Sequence, residues 1–325
     1  YKKETAFGVL AGDTGGTQLR RVTGDFTLSR ESYESAELRF DQMTADMRLG
    51  SRSANGTING ELSPGSYSDF IGSVLSKDFV AGAVSGSISL TIAAATGSNF
   101  TLTRATGSFI TDSFKVGTVV RLSGAGLNIA NVANNLLIVS VTALALTVLP
   151  ISSVAIVAEG PIATVVVTTV GKQTYVPKTG HSDDSYTVEQ WFSDIAQSEV
   201  FTGMKVGGAA ISLPATGLVT SNFTFMGKDM AQTGTTAYFT NPTAANTKGI
   251  FAAVNGALIV NGSTGACITS MDFNIERAME PTVCIGTNSA DSIFTGRIKV
   301  TGNLSAYFEN GSIRDYFANE TKVSL

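Results

Sequence analysis

The sequence predicts a mainly β chain: a sandwich or barrel with flanking helices, built from a pseudo-repeat, plus a small inserted β domain. Three observations carry that prediction. Glycine is abundant (34) beside many Ser, Thr and Val, while proline is scarce (7). That balance favours strands joined by tight turns. Apolar residues alternate with period two through most of the readable segments. Finally, two stretches 246 to 247 residues apart read as copies of one another.

The first copy runs Asp25-Phe26-Thr27-Leu28-Ser29-Arg30, then Gly56-Thr57-Ile58 to Gly65-Ser66-Tyr67-Ser68-Asp69-Phe70. The second runs Asp272-Phe273-Asn274-Ile275-Glu276-Arg277, then Gly302-Asn303-Leu304 to Gly311-Ser312-Ile313-Arg314-Asp315-Tyr316. Glycines 50, 56 and 65 fall on 296, 302 and 311. No catalytic residue type recurs in both copies, so the duplication speaks for architecture rather than chemistry. Two copies do not make a solenoid, which needs three or more stacked units. They suit a pseudo-symmetric subunit of a ring.

Strands are expected over Thr57–Ser63, Asn222–Met226 and Gly296–Phe308. Ile58, Gly60 and Leu62 fall on one side of the first, and Phe223 with Phe225 on one side of the second. In the third, Ile298, Val300 and Leu304 are expected inward, with Arg297, Lys299 and Thr301 outward. Such alternation describes antiparallel strands with one wet face. The spacing of Tyr67, Phe70, Ile71, Val74 and Leu75 predicts a helix over Ser66–Leu75, with Ser66 and Asp69 as a capping box. Ser312–Phe317 repeats that pattern. A third helix is expected over Val188–Ile195, from Trp191, Phe192 and Ile195.

Residues 81–173 hold four basic and two acidic side chains, against 42 of the 48 charges elsewhere. Short β-rich runs fill this block: Ser87–Ala93, Asn99–Thr103, Val116–Ser123, Leu136–Thr142, Leu144–Leu149, Val154–Ala158 and Thr164–Val170. Turn signals such as Gly124-Ala125-Gly126 separate them. The block is expected to be a small barrel or sandwich (81–173) inserted into a larger domain of residues 1–80 and 174–325. That larger domain carries the pseudo-repeats 22–75 and 268–317.

Between Ala36 and Gly56 charges alternate in sign, yet Leu38, Phe40, Met43, Met47 and Leu49 are too apolar for a solvated loop. Two readings fit: an arm that buries on a neighbouring subunit, or a hairpin packed on its own.

Composition excludes several classes. With 43% apolar and 15% charged residues the chain is globular, and its net charge of −4 gives no sign of a nucleic-acid groove. No run of eighteen apolar residues exists, so no membrane span is expected. The chain begins at Tyr1 without a methionine, which leaves a preceding leader open. The only histidine, His181, sits with Asp183 and Asp184 in a polar turn, and a solvated loop is the better reading than a metal site. Cys267 and Cys284 lie in apolar β-like runs, are expected buried, and have nothing local to activate them. Gly12-Asp13-Thr14-Gly15-Gly16 lacks the feeding strand and following helix of a phosphate cradle, so a flexible loop is expected. The chain is read as no enzyme and as needing no cofactor.

One ordered set of motifs resembles a known family. Arg20-Arg21-Val22-Thr23-Gly24-Asp25-Phe26 leads through Glu31-Ser32-Tyr33 to Asp41-Gln42-Met43-Thr44-Ala45-Asp46-Met47-Arg48-Leu49-Gly50, then Gly60-Glu61-Leu62-Ser63. Tyr186-Thr187-Val188-Glu189-Gln190-Trp191-Phe192, Leu213-Pro214-Ala215-Thr216-Gly217 and Phe225-Met226-Gly227-Lys228-Asp229-Met230 follow. This order is similar to the major tail tube proteins of long-tailed, non-contractile bacteriophages, over nearly the whole chain outside 81–173. The middle block is similar to an inserted β domain of some members.

The resemblance implies a tail-tube-type subunit that forms hexameric rings stacked head to tail in the virion tail, after assembly in the host cytoplasm. Double-stranded DNA would pass through the lumen without specific binding, and no membrane would be involved. Expected partners are further copies of the chain, the tape measure protein, the tail terminator and the distal tail protein. Ring stacking is expected from the arm: Phe40, Asp41, Met43, Asp46, Met47, Arg48, Leu49 and Arg52. Repeat logic makes Glu61 and Glu309 lumen candidates, and the inserted block is expected on the tube exterior. The rival expectation is a surface adhesin with a glycan-binding inserted domain; Tyr186 and Trp191 could stack on sugars, but Trp191 at helical spacing with Phe192 and Ile195 is more often core.

Overall fold

The computed structural model describes residues 1–41, 43, 46–152, 154–255, 259–260, 263–264, 267–307, 311, 314–315 and 318–320. In chain order the elements are β1 (Lys2–Lys3), β2 (Thr23–Glu34), β3 (Met47–Glu61), α1 (Ser68–Val74), β4 (Val80–Ala81), β5 (Val84–Ala94) and β6 (Phe100–Arg104). Then come β7 (Val119–Gly124), β8 (Leu136–Val141), β9 (Ala145–Pro150), β10 (Glu159–Thr169), β11 (Lys172–Gln173), β12 (Tyr186–Phe192) and β13 (Gln197–Pro214). The last are β14 (Thr220–Gly227), β15 (Asp229–Gly234), β16 (Ile259–Val260), β17 (Ser263–Thr264), β18 (Ile268–Thr282) and β19 (Ser292–Ala306). The fold is mainly β.

Two compact units result, one from Tyr1–Asp78, Tyr175–Gly256 and Ile268–Ser305, the other built around Phe79–Thr174. In the first unit each copy of the repeat is a long hairpin, β2–β3 and β18–β19. The β13–β14 hairpin lies between them, with β14 pairing β3 and β13 pairing β18. The run β2-β3-β14-β13-β18-β19 is therefore continuous. Strand β13 serves two ladders. Its first half pairs β12 and β15, and its second half pairs β14 and β18. The change comes at a register shift between Val206 and Gly208, where a bulge bends the strand.

One face of this sheet is the core. Phe26, Ile58, Phe223 and Phe225 are buried there with Phe70 and Val74 of α1. The Phe70 ring lies 5.1 Å from that of Phe225 and 5.6 Å from that of Tyr186, both edge-on. Burying each such side chain stabilises the unit by roughly 2 kcal/mol. Two glycines of β3 make room for these rings. A Cβ on Gly56 would lie 2.1 Å from the Phe26 ring, and one on Gly60 would lie 1.7 Å from the Tyr67 hydroxyl. The N-terminal segment is held by the buried Glu4. Its carboxylate accepts from the Gly203 and Gly8 amides at 2.8 and 2.9 Å and from the Ser185 and Thr187 hydroxyls at 2.6 and 3.0 Å. Four donors make that burial tolerable.

The second unit contains a closed barrel, β10-β5-β6-β9-β8-β7. Leu90, Ile92, Leu102, Leu122, Leu136, Leu146 and Val165 fill it. Entry strand β4 pairs exit strand β11, Ala81 opposite Lys172 and Val80 opposite Gln173.

Several expectations are corrected. Val188–Ile195 is no helix: Tyr186–Phe192 is strand β12, with Val188 buried and Phe192 exposed, and 193–196 is the turn into β13. Its neighbours on β13 supply the ladder that the apparent helical spacing concealed. Val154–Ala158 is no strand, because the Asn131 side chain, not a ladder, takes both polar groups of Val157, at 2.9 and 3.0 Å. Helix α1 begins at Ser68 with Tyr67 as cap residue and no side-chain cap bond. Ser66 pairs with Ser63 instead, and Asp69 accepts the Tyr1 hydroxyl. Val300 faces out at 60% exposure, since β19 is an edge strand. Cys267 and Cys284 are both exposed, for they flank β18 rather than sit within it. The glycine-rich 12–16 segment is tied down by the Thr240 and Thr243 amides, which donate to Asp13 and Gly16. The helix expected over Ser312–Phe317 falls largely outside the described residues.

Candidate assembly surfaces

The other face of the long sheet carries short polar side chains in register across its strands. One row runs Thr23, Asn59, Asn222, Ala210, Asn274, and the next runs Asp25, Thr57, Thr224, Gly208, Glu276. Glu61, Thr220, Ser212 and Asp272 make a third. Side chains bond across the strands here. Asn222 donates to Asn59, and Asn59 donates to the Thr23 hydroxyl at 2.9 Å. Ser212 donates to Asp272 at 2.5 Å. Asp25, Asp272 and Glu276 are exposed and Glu61 is half-buried. No Lys or Arg stands in these three rows, so the rows are acidic, while Arg297 and Lys299 of β19 line a depression with Thr224, Asn274 and Glu276. Glu61 thus lies where an acidic surface is built, whereas Glu309 lies outside the described residues.

The arm is the end of the β2–β3 hairpin. Met47, Arg48, Leu49 and Arg52 belong to β3, opposite Glu34, Tyr33, Ser32 and Arg30. The Ser35 amide donates to the Asp46 carbonyl at 2.8 Å and closes the stem. Beyond it Leu38 and Phe40 are fully exposed and Met43 is more than half exposed, as are Met47 and Leu49 on the stem. The charges are satisfied locally, Arg39 with Asp41 and Arg48 with Asp46, each at 2.8 Å. The apolar side chains stand uncovered beside these exposed ion pairs and the exposed Glu37. Arg52 differs from the rest, because its partner lies outside the arm: it bonds to Asp229 at 2.6 Å. In the stem, Tyr33 donates to Glu31 at 2.5 Å and Ser51 does so at 2.9 Å. These two donors, Tyr33 first, hold the Glu31 carboxyl below its usual range.

The His181 turn also has a use that residue types alone did not reveal. Asp183 pairs with the buried Lys205 at 2.7 Å, and Asp184 pairs with Lys3 at 2.7 Å. Burial raises the Asp184 carboxyl above its ordinary value, against the pull of Lys3. Burial likewise lowers Arg277, which donates to the Ser73 carbonyl at 3.2 Å. An isolated Lys at 205 in an apolar strand was the one available hint of this cluster.

A groove of about 550 Å³ opens beside the start of β2, floored by Phe26, Ile58, Val188 and Phe239 and edged by Trp191 and Arg21. Tyr186 is buried and presents no stacking face for a sugar. Among the described residues no group of three or more His, Cys, Asp or Glu is placed to hold a metal ion. Among them, too, no helix is long and apolar enough to cross a membrane.

A family model described as phage tail tube protein matches residues 1–325. No curated protein matches the chain.

Proposed function

The chain belongs to the phage tail tube protein family, and from that premise we propose that it closes into hexameric rings stacked head to tail as a conduit for double-stranded DNA. The observation that carries this reading is the long sheet with one buried face, one open acidic face and two free edges. Among the described residues β2 pairs only with β3, and β19 only with β18. An unpaired edge invites pairing with another chain. Contact of β2 with β19 of the next copy is heterologous, and a heterologous contact that closes makes a ring.

Six copies of six strands at about 4.8 Å spacing give roughly 170 Å of circumference and a bore of about 55 Å before side chains. A DNA duplex fits within that. It carries about one negative charge per 1.7 Å of axis. A wall of Asp25, Glu61, Asp272 and Glu276 with Thr and Asn between them repels phosphate weakly, and the two cations at its edge, Arg297 and Lys299, are outnumbered by these acids. DNA slides rather than binds. The ends of such a tube are where a tape measure protein, tail terminator and distal tail protein would engage. The barrel, with few charges to line a channel, belongs on the exterior.

Stacking is assigned to the hairpin tip. Ser35 and Asp46 already share a backbone bond, so an Asn-Gly turn can replace residues 36–45 without disturbing the stem. Electron microscopy should show tubes from the natural sequence and single rings from the shortened one. Tubes of normal length from the shortened protein would remove the stacking role.

A further inference from the structure

We propose that the apolar tip of one copy, Leu38 and Phe40, seats in the groove beside the start of β2 on a copy in the next ring. The proposal rests on the tube reading above and names the receiving surface. Three observations carry it. First, tip and groove lie at opposite ends of the same strand: Phe26 floors the groove, and the tip follows Glu34. Eight residues of strand separate these by about 26 Å, and the tip extends further. A copy cannot fill its own groove, as the full exposure of Leu38 and Phe40 shows. Donor and acceptor at opposite ends of one strand make a head-to-tail contact that propagates along an axis.

Second, size and chemistry match. The groove of about 550 Å³ has a floor of Phe26, Ile58, Val188 and Phe239 with the Trp191 ring at its edge. That volume is in the range that encloses a compact apolar group, and Leu38 with Phe40 is such a group. The Phe40 ring has Trp191 and Phe239 there for offset or edge-to-face stacking, which adds to area burial. Third, the charges agree. Exposed Arg21 lines the groove, and exposed Glu37 immediately precedes Leu38. The carboxylate in the lining, Glu189, is already taken by the Ser198 hydroxyl and the Tyr238 and Phe239 amides. The tip's remaining charges are already paired, so they bring no unmatched ion with them.

The test uses two variants of the full chain. Leu38→Ser with Phe40→Ser removes the tip, and Ala237→Trp fills the groove from its exposed rim. Both changes are at the surface, and circular dichroism melts should match the natural protein. Each variant alone should give rings and no tubes under negative stain. Mixed, they should give pairs of rings and nothing longer, because one supplies only a tip and the other only a groove. Ala237→Ser, which leaves the groove open, should form tubes. If the tip variant forms normal tubes, both the stacking arm and its receiving groove fail. If the tip variant stops at rings while Ala237→Trp still makes tubes, the arm stacks elsewhere and the groove assignment alone is overturned.

Discussion

Lys205 on β13 is almost wholly buried, and its ammonium lies 2.7 Å from the carboxylate of Asp183, in the turn that precedes β12. The same ammonium donates to the Ile293 carbonyl at 2.8 Å and lies 5.1 Å from the centre of the Phe7 ring. One cation thus ties the N-terminal segment, the turn before β12 and the start of β19 to the strand at the centre of the sheet. The second copy of the repeat is thereby anchored, through Ile293, to the central strand.

The two ends of this pair should respond differently to substitution. Asp183→Ala strands a buried ammonium, a change that costs 3–5 kcal/mol in a fully buried pair. Asp183 is itself half-exposed, so screening reduces the expected loss to about 2 kcal/mol. Lys205→Met leaves Asp183 in water and keeps an apolar stem, so its cost should be about 1 kcal/mol, chiefly the Ile293 bond. Urea unfolding followed by circular dichroism checks the order. A larger loss for Lys205→Met would contradict it.

The glycines of β3 lead to a second prediction. Gly60→Ala must drive Tyr67 off a site where it is 1% exposed and donates to the Arg20 carbonyl at 2.7 Å. Overpacking of this kind costs about 1–3 kcal/mol. Gly60→Ala with Tyr67→Phe should recover part of that loss, because the hydroxyl is the atom in the way. Thermal melts of the single and double variants test the coupling, and additive losses would sink it.

The two matching stretches, the alternating strands and the helix at Ser68–Val74 were legible because each is a local pattern of apolar spacing. The acidic face was half legible. Alternation marks Thr57 and Asn59 as outward, but register alone sets them beside Thr224 and Asn222. Trp191, Phe192 and Ile195 misled because strand and helix spacings coincide over so few residues, and the deciding partner, β13, is built from residues 197–214. Val157 misled for another reason. Its backbone is satisfied by one distant amide, Asn131, and no propensity encodes a side chain that replaces a ladder. The exposure of Leu38 and Phe40 was readable as a conflict between apolar residues and alternating charge. The groove was not, since its lining comes from five separate stretches of chain.

Acid should loosen the stem of the arm. The Glu31 carboxyl is held below its ordinary 4.5, so its contribution is fully present above 4.5 and is lost as pH falls through the lower folded value. Asp184 has the opposite sign. Burial raises it above 3.8, so its contribution is greatest at low pH and declines as pH rises through the raised value. Carboxyl NMR titration should place Glu31 below 4.5, and Tyr33→Phe should move it upward. A Glu31 midpoint unmoved by Tyr33→Phe would show that the hydroxyl does not hold it.

The barrel should be removable. Its entry and exit strands lie side by side, with Val80 opposite Gln173, so the cut ends need only a short linker to rejoin. Its core is its own: Leu90, Leu102, Leu122 and Leu136 pack among residues of the same block. The long sheet draws every strand from outside residues 81–173. Excising 81–173 with a two-residue Gly-Ser bridge should therefore leave the melting transition of the remaining unit intact and still allow tubes, narrower in outer diameter under the microscope. If the shortened chain folds but forms no rings, the barrel is part of the ring contact and its exterior placement is wrong.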